Sequence, residues 1–157
     1  MADDEQRYSV LAKWGENVLK KGFTILPNHL MGINLFVSKE KKLSPAELLV
    51  LFHLVSVWWD VDRLPFPSKS TLSKRTGISV RQVQRVLNNL EKKGLIRRYE
   101  RYSENRAKVS NIYDLAGTVE LVKEMATLNP TAFKRGKQDN WSNEALDQVQ
   151  ELSGEIP

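Results

Sequence analysis

Residues 67–96, PSKSTLSKRTGISVRQVQRVLNNLEKKGLI, decide the fold. Ser68 or Ser70 can cap a short helix running to Thr76, with Leu72 pointing inward and Gly77 suited to a left-handed turn at its end. Only Gly77 and Ile78 separate this helix from the next, which is turn length. Ser79 opens that next helix, and Gln82 stands three residues on, the spacing of a capping box. At 100° per residue, Val86, Leu87 and Leu90 fall within about 60° of Val83 and form a buried stripe. The opposite face, about 140° to 200° round, carries Arg81, Asn88, Arg85 and Lys92. Gly94 ends the helix, which is expected over about 79–93.

Outward from this pair, the pattern changes from helical to alternating. Residues 95–101 and 108–115 read as two strands joined by a polar turn, YSENR at 102–106, giving a β-hairpin with a basic tip. On the other side, 60–67 (DVDRLPFP) is a loop in which two prolines block a helix. Before it, Ser44, Pro45 and Glu47 form a capping-box start for a helix over 45–59. Leu48, Leu49, Leu51, Phe52, Leu54, Val55, Trp58 and Trp59 leave it little polar face, so it should lie centrally, with its tryptophans in the core rather than serving as a base-stacking platform. At 12 residues, interrupted by His53 and Ser56, the apolar stretch 48–59 is well short of the ~20 residues a membrane span requires.

Residues 4–20 place Val10, Leu11, Trp14, Val18 and Leu19 on one face of an expected amphipathic helix closed by Gly22. Residues 23–27 (FTILP) are a β-prone run, 29–37 are either a short helix or an irregular packing segment, and 118–128 form an amphipathic helix. Beyond Asn129-Pro130 the chain is polar and acidic, expected to be largely disordered, with one helical candidate at 143–152. The expected organisation is therefore a helix over 1–22, a main domain over 23–128 with its motif core at 43–115, and a tail over 129–157. The fold class is mainly α with a small β-hairpin wing. Helix, short turn, helix and basic hairpin is the layout of a winged helix-turn-helix, whose second helix enters the major groove.

The residues carry a family resemblance as well. The string 67–96 resembles winged-helix domains of GntR-type transcriptional regulators and, more closely, those of plasmid and phage replication proteins. Pro67-Ser68, Leu72, Gly77, Ser79, Val83, Leu90-Glu91 and Gly94-Leu95-Ile96 fall where those families place a helix start, a core leucine, the turn glycine, the recognition-helix cap and the beginning of the wing. The resemblance covers 43–115, or 73 of 157 residues. It implies the fold, binding of double-stranded DNA, and a bacterial setting in replication initiation or its control on a plasmid, phage or other mobile element. A small repressor with the same DNA-binding chemistry, and a winged-helix module that meets an acidic protein partner, are the alternatives.

Charge distribution agrees with a nucleic-acid surface. The chain carries a formal +5, but residues 63–113 alone hold thirteen Lys and Arg against three Glu, a net +10. Candidate base readers are Arg81 and Arg85, with Gln82, Gln84 and Asn88, because arginine can bond guanine O6 and N7 and an amide can pair with adenine. Gln82 is equally suited to a purely capping role. Lys69, Ser70, Lys74, Arg75 and Ser79 are candidate backbone contacts, as are Arg97, Arg98, Arg101, Arg106 and Lys108 on the wing, with Arg101 and Arg106 favoured at its tip. Lys92 and Lys93 can serve phosphate or merely complement the helix dipole.

Catalysis is not expected: there is no cysteine, the two histidines are His29 and His53, and no Gly-rich phosphate loop or carboxylate cluster with metal-ligand spacing occurs. His53, in the most apolar helix, reads as a buried, hydrogen-bonded structural residue. No cofactor, metal or membrane partner is expected, and the first residues, MADDEQRYSV, carry no signal-peptide pattern, so the expected location is cytoplasmic. One recognition helix reads few base pairs, so a homodimer is a candidate state, with contacts on Val10, Leu11, Trp14 and Val18 or on 119–125. The alternative is that these helices simply pack on the domain. The tail at 137–157, with one lysine and five carboxylates, is a solubilising segment, a competitor for the basic face or a recruiter of a partner, and a replication or transcription protein is a candidate partner.

Overall fold

The computed structural model describes residues 10–133. Residues 26–132 form one compact unit, and the described residues 10–25 and 133 fall outside it. The helix expected over 4–20 is instead two short ones, α1 (Val10–Trp14) and α2 (Glu16–Leu19). Gly15 breaks it, at a φ of 79° that no α-helix accommodates. Leu11, Trp14 and Val18 are exposed, and Trp14 meets the Phe23 ring edge-on at 6.5 Å. Residues 23–27 join no sheet. The beginning of the expected N-terminal helix and the acidic tail with its helical candidate lie outside the described residues.

Within 26–132 the order is α3 (Asn28–Met31), 3-10 turns at Ile33–Leu35 and Lys39–Lys41, α4 (Pro45–Ser56), α5 (Lys69–Thr76), α6 (Val80–Lys92), β1 (Arg97–Tyr99), β2 (Ile112–Asp114) and α7 (Ala116–Leu128). This is a mainly α fold with a two-stranded antiparallel hairpin behind the helix pair. One core joins Leu30 and Ile33 to Val50, Leu51 and Leu54 of α4, Leu72 of α5, the α6 stripe, Ile96, Tyr113, Leu115 and Met125. The segment 29–37 thus proves to be short helical turns that contribute two core residues. Asn34 ties it down: its Nδ2 donates to the Leu43 carbonyl at 2.8 Å, and its Oδ1 accepts the Leu43 N–H at 2.7 Å. In α7, Leu121 and Val122 pack against the core and Met125 lies within it.

The capping boxes form as their spacing predicts. Ser44 Oγ accepts the Glu47 N–H, and Glu47 Oε2 accepts the Ser44 N–H at 2.9 Å. Ser79 and Gln82 repeat the exchange at the start of α6. The α5–α6 turn is set by Gly77 at φ 76° and by Ser73 Oγ donating to the Ile78 carbonyl at 2.7 Å. The expectation for α4 fails at its end. It stops at Ser56 rather than near Trp59, and the following chain doubles back through pairing of Asp60 with Arg63. Without helical geometry the two tryptophans point apart: Trp58 packs against the core, whereas Trp59 is 76% exposed and is not a core residue.

A close approach not anticipated from sequence fixes α7. The α6 terminus closes with Gly94 at φ 75° and Leu95 N–H bonding back to the Leu90 carbonyl at 3.0 Å. Gly117 sits directly on this turn, where an added Cβ would lie 1.9 Å from the Gly94 carbonyl oxygen. Beside it, Thr118 directs both its N–H and its hydroxyl to the Leu95 carbonyl, at 3.1 and 2.7 Å.

Glu47 does more than cap. Its carboxylate, nearly fully buried, bonds Lys93 Nζ at 2.7 Å, and Lys93 also donates to the Lys42 carbonyl at 2.9 Å. Burial pushes the Glu47 carboxyl upward, but bonds from Lys93, the Ser44 N–H and Asn89 outweigh that and hold its pKa below the usual value.

Two predictions follow from this packing. Gly117→Ala should destabilise the fold by about 3 kcal/mol, since backbone must move to admit the methyl, and chemical denaturation reads the loss directly. Glu47→Gln should cost about 2 kcal/mol at pH 7. A depressed carboxyl stabilises above its unfolded pKa of ~4.3, and that contribution disappears as pH falls through the lower folded value. Urea titrations from pH 7 to 3 should therefore show the gap between the two proteins closing at the acid end.

Candidate nucleic-acid interface

α6 presents three functional strips around its buried stripe. Val83, Val86, Leu87 and Leu90 are all buried. On one flank, Lys93, which closes α6, bonds to Glu47 of α4. On the other, Val80, Gln84 and Glu91 line a cleft of about 720 Å³ that runs between the start of α5 and the hairpin and is bounded further by Lys69, Ser70, Arg98 and Lys108. Between the flanks, facing away from the core, lies the strip Arg81, Asn88, Arg85 and Lys92. Arg81, Arg85 and Lys92 are exposed, and Asn88 is half-buried. Neither Arg81 nor Arg85 has an ion pair among the described residues.

The amides beside these arginines are committed to one another. Lys69 Nζ donates to Gln84 Oε1 at 2.6 Å, and Gln84 Nε2 donates to Asn88 Oδ1 at 2.9 Å. This fixes which way each amide points. Asn88 is left with its NH₂ group available, whereas Gln84 has its oxygen and one of its N–H groups occupied. Gln82 Oε1 accepts from both the N–H and the hydroxyl of Ser79, so both residues serve the cap. Lys69, Ser70, Lys74 and Arg75 of α5 are all exposed.

The hairpin is shorter and more tightly tied than the expected 95–115. Its register pairs Arg97 with Asp114, Arg98 with Tyr113 and Tyr99 with Ile112. A further bridge joins Tyr102 to Lys108. Three steps on the outgoing chain thus face four on the return, which places a one-residue bulge there. The tip closes with the Arg106 N–H on the Ser103 carbonyl at 2.8 Å, Arg106 adopting φ 58°.

The five basic wing residues do not act alike. Arg98 forks onto Glu91, its Nε bonding Glu91 Oε2 at 3.0 Å and its backbone N–H bonding Glu91 Oε1 at 3.0 Å. Lys108 pairs with Glu100; their bond lowers the Glu100 pKa and raises that of Lys108. Arg101, expected at the tip with Arg106, stacks instead over the Phe66 ring at 4.2 Å and bonds Ser110 Oγ at 3.1 Å. Arg97 and Arg106 are exposed and carry no ion pair among the described residues.

Sequence reading did not single out Phe66 or Val80, and it anticipated neither the bond of Glu47 to Lys93 nor that of Glu91 to Arg98. Glu91 had a signal: on the helical projection it lies about 80° from Val83, on the flank that faces the strand following Gly94. Phe66 had none, because its stacking on Arg101 depends on tertiary folding.

His53 is half-buried on α4. Burial first, and the charge of Arg75 second, hold its pKa below the usual histidine value, so it is neutral at pH 7. No helix among the described residues is long and apolar enough to cross a membrane.

Residues 41–96 match the family model described as a helix-turn-helix domain. No curated protein matches the chain. The matched residues run from just before α4 through α5 and α6 to the start of the hairpin. With the hairpin that follows it, the matched region has the layout of a winged helix-turn-helix.

Proposed function

We propose that the protein binds a specific double-stranded DNA sequence without catalysing a reaction, with α6 in the major groove and the wing on adjacent backbone or minor groove. The observation that carries this is the outward strip of α6. Arg81 and Arg85 stand exposed and unpaired, opposite a stripe that is wholly in the core, so the buried face fixes which chemistry is offered to a partner. Their guanidinium groups suit the O6 and N7 acceptors of guanine, and Asn88 offers a further donor. Lys69, Ser70, Lys74 and Arg75 lie on the preceding helix, where phosphates would pass, and Arg97 and Arg106 offer free cations on the wing.

The process served is replication initiation or its control on a plasmid, phage or other mobile element, acting in the cytoplasm. The closer resemblance of 43–115 to plasmid and phage replication proteins supports this role. Repression of transcription would use the same surface, and footprinting separates the two. Protection of an iterated array within an origin supports replication, whereas protection confined to the gene's own promoter supports repression. A stoichiometric protein complex with no retained DNA would overturn both in favour of a protein-interaction role.

Two substitutions test the surface. After selection of random duplexes on the purified protein, Arg81→Ala with Arg85→Ala should abolish the preference for the enriched motif, each arginine contributing about 1–3 kcal/mol of discrimination. Unchanged preference in the double variant would refute base reading by these residues. Arg106→Ala should instead weaken all duplexes alike and make the slope of log K against log salt shallower by about 0.9, as expected for one lost phosphate contact.

A further inference from the structure

We propose that Val80 makes an apolar contact with the methyl group of a thymine, and so specifies one position of the bound site. This rests on the reading of α6 as the recognition helix. Val80 is the first residue of α6, and base edges are reached by the N-terminal residues of a recognition helix. Its side chain is 47% exposed and belongs to neither the core nor the residues packed against it. The helix start makes no use of it. Ile78 and Val83, on either side, hold the positions of a hydrophobic staple and both pack inward, while Ser79 and Gln82 make the cap.

Other exposed apolar side chains occur on this protein, Trp59 and Val61 among them. Val80 differs in lining the cleft between α5 and the wing. One turn along on the same flank, Gln84 is already engaged by Lys69 and Asn88. The polar group best placed to read a base beside Val80 is therefore turned to internal bonds, and what remains at that point is an isopropyl group. In the major groove the thymine C5-methyl is the apolar feature that the four base-pair arrangements offer to such a group.

The test uses the motif enriched from random duplexes, resynthesised with each thymine in turn replaced by deoxyuridine, which removes only the methyl. Fluorescence anisotropy with the full chain should find one position where uracil weakens binding about fourfold, the value of one buried methyl-sized group. Val80→Ala should bind the thymine duplex about fourfold more weakly than the wild type and no longer distinguish thymine from uracil there, with an unchanged thermal midpoint. A wild-type protein indifferent to uracil at every position, or a motif with no fixed thymine, overturns the proposal. So does a Val80→Ala protein that keeps the full discrimination. Retention of no duplex at all overturns the DNA-binding reading and this contact together, whereas tight binding without a uracil effect overturns the methyl contact alone.

Discussion

The carboxylate of Glu47 is buried between the first turn of α4 and the end of α6, and it can stay ionised there only if its oxygens are satisfied by donors. One donor is local, the N–H of Ser44. The other comes from Lys93, which closes α6. Because Lys93 closes α6 on one flank, meeting Glu47 fixes the rotation of that helix about its axis. A slip of one residue is a 100° turn. It would carry Lys93 away from the carboxylate and swing polar residues toward Leu51 and Leu54. The same rotation that satisfies one buried charge thus points Arg81 and Arg85 outward. Here a buried ion pair acts as a register device, and the apolar stripe supplies the adhesion.

The hairpin depends on a comparable constraint. A two-stranded ribbon has two open edges, and at the Arg98–Tyr113 pair each edge presents a backbone N–H. The Tyr113 N–H is taken by the Pro65 carbonyl at 2.8 Å, and the Arg98 N–H by Glu91. Pro65 can accept but has no N–H to donate, so it closes this edge without extending the sheet. Glu91 belongs to α6 itself, so the wing is tied directly to that helix. The cleft between them therefore has defined walls, one from each element.

Helices α4, α5 and α6 were legible because their starts and stops are local. Ser44, Ser68 and Ser79 each cap within three residues, and Gly77 and Gly94 terminate at positive φ, so nearest-neighbour chemistry suffices. The outward strip of α6 followed from the same periodicity. Features that depend on segments distant in sequence were not legible. Gly117 against Gly94, Arg101 against Phe66 and Lys93 against Glu47 each join parts of the chain separated by more than 20 residues. The C-terminal end of α4 was missed because its apolar run continues through Trp59 while the backbone turns at Asp60. Hydrophobicity marks burial there and says nothing about where the helix stops.

Charge counting and contact geometry also answer different questions about the same cations. The +10 of residues 63–113 is unaffected by internal pairing, because Glu91, Glu100 and Glu104 are already included in it. The field that draws a polyanion toward this face is therefore intact, though screened beyond about 8–10 Å at ordinary salt. At contact the thirteen cations, Arg63 in the loop before α5 apart, separate into classes. Lys93, Arg98, Arg101 and Lys108 hold the domain together or meet a neighbouring carboxylate, and Lys69 holds Gln84. Phosphate could recruit Lys108 only by displacing Glu100, an exchange between two anions that yields little net gain. Arg98 is held by a fork and a backbone bond at once, so releasing it would also loosen the wing. On the proposed DNA-binding reading, local affinity would then come mainly from Lys74, Arg75, Arg97, Arg106 and the α6 strip, so this surface would be strongly attractive at a distance while being selective about which of its charges touch the duplex.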